Sequence, residues 1–172
     1  MSNEVKVDAE SIKKSAEDLV ELIKLRTFPF GMKLFENVDD MLSIKGLRTP
    51  SDGKFFTTCQ LVTQVRTAGF TLGIVQNNLR PGSSCGANIG LEVVPEDVSS
   101  GQKMTGVWFG NQEAAAKHQA QMPRVEAGKY TGLAASPLRT GRLDPPDICL
   151  FYASPGQMLS LIHISEPTRP LE

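Results

Sequence analysis

At 172 residues, 40% hydrophobic and 22% charged, the chain has the length and composition of one globular domain with a sizeable core. Its 18 Lys and Arg stand against 19 Asp and Glu, a net charge of -1, so no basic field draws it to nucleic acid or to an anionic bilayer. The first residues lack the apolar core of a signal peptide, no stretch approaches the ~18 apolar residues of a membrane span, and three cysteines form no disulfide scaffold, so a cytoplasmic, reducing environment is expected.

Asp8 to Leu25 reads as an amphipathic helix, with Ile12, Ala16, Leu19, Val20 and Ile23 at helical spacing. Thr27 to Gly31 then turns the chain into a short strand, Met32 to Phe35. Lys33 alternates there with apolar neighbours, either as the outward face or as a cation aimed into a cleft. Glu36 to Lys54 is punctuated by Gly46, Pro50 and Gly53, the pattern of a short helix and a loop. Thr57 to Thr67 reads as a helix with Cys59 near its start, and Ala68 to Val75 as turn and strand.

The run Arg80 to Leu91 concentrates the chemistry. Pro81 and Gly82 break the preceding segment, Ser83 or Ser84 can cap a helix, and Cys85 falls in its first turn. A thiol there is expected to feel the positive end of the helix, which lowers its pKa. Free backbone N–H groups at Ser83, Ser84 and Gly86 could cradle an anion, and Gly82, Gly86 and Gly90 recur every fourth residue as on one close-packed face. The plainer reading is a tightly packed helix start around a buried Cys. Neither a GxGxxG nor a GxxxxGK[ST] loop is present.

Further on, Gly101 to Phe109 is strand-like, with Trp108 as a core candidate, and Asn111 to Gln121 is a helix ended by Pro123. His118, mid-helix beside Lys117 and Gln119, reads as a solvated surface residue. Tyr130 to Ser136 and Asp147 to Tyr152 supply two more strands, the second carrying an inert-looking Cys149. Helices and strands interleave without repeats, which predicts an α/β or α+β domain with a single mixed sheet flanked by helices. Leu159 to Arg169 looks like a translated sequencing adapter, and Leu171-Glu172 like a cloning scar. The expected organisation is therefore a single domain over 1–158, truncated and metagenomic in origin, with a foreign tail over 159–172. Leu159 to Ile164 alternates as a strand does, so it is expected to cover apolar surface, in its own chain or across a symmetric homodimer.

Phe30-Gly31-Met32-Lys33-Leu34, Cys59, Cys85 to Leu91, Pro123-Arg124, Ser136-Pro137-Leu138, Pro146-Asp147-Ile148 and Pro155 to Met158 occur in an order that resembles the bacterial and archaeal domain of unknown function 169. The resemblance spans Leu19 to Met158. It implies a single domain, members that continue past the position of Met158, and two family cysteine positions at Cys59 and Cys85. It brings no settled activity.

The leading expectation is an enzyme or cofactor-binding protein of small-molecule metabolism. Cys85 would act as thiolate nucleophile, Cys59 as resolving thiol, with Lys33 or Arg80 holding an anionic group. Alternatively Cys59 and Cys85 would hold a transition metal, although 26 positions between them fit no zinc finger. The runner-up is a non-catalytic anion-binding or interaction module in which the cysteines only pack. A hydrolase ranks third, because no G-x-S-x-G elbow exists.

Overall fold

The first apolar stripe forms helix α1 (Ala9–Ile23) in the computed structural model, which describes residues 8–82 and 84–165. Asp8 caps it, its carboxylate accepting from the Ser11 amide at 2.8 Å. After it come β1 (Phe30–Phe35), α2 (Val38–Leu42), α3 (Thr58–Ala68), β2 (Leu72–Val75), α4 (Ser84–Asn88) and α5 (Glu96–Ser99). The chain continues through α6 (Gln112–Gln121), β3 (Gly132–Pro137), β4 (Ile148–Leu150) and α7 (Pro155–Ser165).

The strands make one sheet in the order β2-β3-β1-β4, and each of these ladders is antiparallel. The expected sheet-and-helix domain is thus of the α+β kind. Alternation along the strands sorts the core into two layers. Leu72, Ile74, Leu133, Ala135 and Phe30 meet Leu61 and Val65 of α3 on one face, and Leu79 and Leu91 close that cluster. On the other face Met41 of α2 packs with Ala134 and Leu143. Met41 reaches the sheet because Gly132 lies under it, where a Cβ would come within 2.8 Å of its sulfur.

Three expectations need correction. Gly101 to Phe109 is no strand: the Met104 carbonyl collects the amides of Val107, Trp108 and Phe109, which closes the segment on itself. Trp108 therefore sits on a turn and is 76% exposed rather than core. Leu159 to Ile164 is helical, not extended, because Ser154 and Gln157 cap each other's amides (2.7 and 3.3 Å) and start α7 just ahead. Residues 1–7 and 166–172 lie outside the described residues, and with them the last part of the expected foreign tail.

Candidate functional site

Two distant segments are laid side by side by a short parallel pairing. The Phe56 amide donates to Asn78 O (2.8 Å) and the Arg80 amide to Phe56 O (3.0 Å), bridging Phe56 to Leu79. From this clamp one chain runs three residues on to Cys59 and the other six residues on to Cys85. Thr57 starts α3 through a capping box: its hydroxyl accepts from the Gln60 amide (3.1 Å), while Gln60 Oε1 accepts from the Thr57 amide (2.8 Å). Cys59 is the second residue of that helix and exposed; Cys85 is the second residue of α4 and half-buried.

The structure brings the two thiols together. Burial pushes the Cys85 pKa up, the negative charge available at Cys59 pushes it further, and a hydrogen bond between the thiols adds to the rise. The Ser84 hydroxyl, bonded to the Cys85 sulfur, works weakly the other way. These surroundings favour the protonated thiol at Cys85. The expected lowering of the Cys85 pKa is therefore corrected. A five-residue α4 is one turn long and carries little dipole, so desolvation and the neighbouring thiol decide the sign.

The other expected site residues fare differently. Gly86 is explained by packing, since a Cβ there would run into the Leu79 side chain. Gly82, Gly86 and Gly90 do not share a helix face: Gly82 precedes α4, and Gly90 follows it at φ +77° against the Glu126 carbonyl. Lys33 spends its ammonium on the carbonyls of Asp144 (3.3 Å) and Pro145 (2.9 Å), so it staples a loop rather than reaching the thiols. Arg80 is exposed, and its backbone amide serves the clamp. Ser83 lies outside the described residues. Cys149 sits on β4 opposite Gly31, exposed as a residue, with its pKa raised by burial of the sulfur.

One residue had no role in the sequence reading and acquires one. The Arg124 guanidinium donates to Asn88 Oδ1 (3.2 Å), Gln119 O (2.7 Å) and Gln119 Oε1 (2.6 Å), and the Val125 amide donates to Asn88 O (3.0 Å). It thereby locks the end of α4 to α6, three residues from Cys85. Gln119, almost fully buried, has its amide oxygen satisfied by this contact.

Cys59 opens onto a shallow hollow of about 250 Å³, lined with it by Gln60, Thr63 and Gln64, and Cys85 lies behind it, half-buried. Among the described residues no group of three or more His, Cys, Asp or Glu side chains converges as a metal site would. A metal here would draw two thiolates from this chain. Among the described residues no helix is long and apolar enough to cross a membrane.

The family described as DUF169, uncharacterised ArCR, matches residues 18–166. No curated protein and no solved structure matches the chain.

Proposed function

We propose that this chain, which belongs to the DUF169 family, is a small-molecule thiol–disulfide protein in which Cys59 attacks and Cys85 resolves. The observation that carries the reading is the contact between an exposed thiol, Cys59, and a half-buried one, Cys85, whose pKa is raised by burial and by that neighbour. The roles are reversed from those the sequence suggested, because exposure favours Cys59 as the first to meet a substrate. A Cys59 thiolate attacks one sulfur of a small disulfide, whose S–S bond breaks and releases one thiolate. Cys85 then gives up its proton and attacks the Cys59 sulfur, expelling the second thiolate and leaving a Cys59–Cys85 disulfide. Two electrons pass from the protein to the substrate, which leaves as two thiols.

The test is a peptide map without reduction after exposure to glutathione disulfide. A Cys59–Cys85 crosslink is expected, with Cys59→Ser giving none and Cys85→Ser trapping glutathione on Cys59. Glutathione that stays on Cys59 of the unaltered protein, or fails to react, overturns the reading. The competing reading is a soft two-coordinate metal site held by the two thiolates, the described residues supplying no cluster of three or more His, Cys, Asp or Glu. It predicts one Cu(I) per chain, lost in either Cys→Ser variant. If both thiols resist every reagent, the non-catalytic module is correct.

A reducing, cytoplasmic setting suits such a resting dithiol. The exposed Leu159, Ile162 and Ile164 of α7 support pairing of two chains through that helix. Light scattering on the full chain and on a version ending at Met158 tests it, a monomeric mass for both removing the dimer.

A further inference from the structure

A second site lies where the end of α1 meets the start of α7. We propose that this cleft binds the phosphate of a small phosphorylated molecule. It is a cavity of about 620 Å³ whose lining includes Lys24, Arg26, Thr27, Arg66, Tyr152 and Gln157, large enough for an anion and a modest organic group. Three of its residues are cations and none is acidic. Among the described residues, none of Lys24, Arg26 and Arg66 forms an ion pair. Three positive side chains around one cleft repel each other, and a multiply charged anion offsets that repulsion.

The end of α1 and the start of α7 form the backbone around the cleft. Lys24 ends α1 as its left-handed C-cap at φ 53°, the one non-glycine in that region among the described residues, and its side chain is exposed. The carbonyls of Ile23 and Lys24, which close α1 and would repel an anion, are covered by the Gln157 amide, which donates to them at 2.9 and 2.7 Å. The Arg66 guanidinium carbon lies over the Tyr152 ring, 4.2 Å from its centroid, and the Arg66 carbonyl accepts from the Phe28 amide at 2.9 Å. A guanidinium fixed in this way offers its N–H edge without further loss of side-chain freedom. The Thr27 hydroxyl in the wall is shut from solvent and has no hydrogen-bond partner among the described residues.

Phosphate fits this set better than carboxylate. A phosphate monoester carries close to two charges and three acceptor oxygens, enough to meet two guanidinium groups and an ammonium at once. The proposal is independent of the thiol pair, which it neither needs nor touches.

Calorimetric titration with inorganic pyrophosphate tests it, with citrate as the carboxylate arm. The unaltered protein is expected to bind pyrophosphate more tightly than citrate, and less tightly as salt rises. Lys24→Gln/Arg26→Gln, two exposed side chains whose loss spares the fold, should weaken binding at least tenfold, and Arg66→Gln should do the same. Arg142→Gln, outside the cleft, should bind as the unaltered protein does, and so should Cys59→Ser/Cys85→Ser. No binding by the folded protein overturns the proposal, as does unchanged binding by Lys24→Gln/Arg26→Gln or a preference for citrate.

Discussion

Cys85 and Cys59 differ in what surrounds their sulfur atoms, and reactivity should follow that difference. Cys59 is open to reagent while Cys85 is half-buried with its pKa raised, so partial alkylation followed by mass spectrometry should find Cys59 labelled before Cys85 and Cys149. Early labelling of Cys85 would instead restore it as the attacking thiol. Replacing Cys59 by Ser removes both the neighbouring thiolate charge and the thiol–thiol bond, two of the three influences that raise Cys85. The pH midpoint for Cys85 alkylation should therefore move down in Cys59→Ser, while staying above the ordinary value because burial remains. A midpoint that does not move would mean the two sulfurs ignore each other in solution.

At the scale of elements, the thiol pair depends on how α3 and α4 begin. Thr57→Ala removes the hydroxyl that caps α3 and should cost about 1 kcal/mol in denaturant unfolding. Gly86→Ala sets a methyl against Leu79 in a closely packed position and should cost about 1–3 kcal/mol. A variant as stable as the parent at either position would show that the helix start tolerates slack. Much of this level was legible in the sequence. The apolar spacing from Ile12 to Ile23 gave α1, and Asn111 followed by alanines gave α6, since local pattern and propensity suffice there. Gly101 to Phe109 misled because its apolar side chains serve a turn whose hydrogen bonds gather on one carbonyl, and no periodicity records that. Arg124 carries no signal in the sequence beyond its place in the family pattern. Its partners Asn88 and Gln119 lie 36 and 5 positions away, and nothing in their spacing announces that they meet. The proximity of Cys59 and Cys85 was open to suspicion, but the Phe56 to Leu79 clamp that produces it was not.

Over the whole molecule, the two raised thiols set a limit at alkaline pH. A thiol whose pKa is higher in the folded chain favours folding fully below its unfolded value, ordinarily 9.0, and that contribution is lost as pH climbs through the folded value. Stability by chemical denaturation should thus fall above about pH 9, and less steeply in Cys85→Ser/Cys149→Ser. An equal slope in that variant would assign the alkaline loss to other groups. The Phe56 to Leu79 clamp has a wider consequence. Cys59 and Cys85 bracket nearly all of α3 and the whole edge strand β2, so joining these residues, 26 positions apart, closes the chain between them into a covalent ring. On a chain-entropy account, a ring of that size is worth about 3.5 kcal/mol against the open polymer. The amide protons of Leu72 to Val75 should then exchange with deuterium more slowly in the oxidised protein, making the sheet's edge a gauge of the oxidation state.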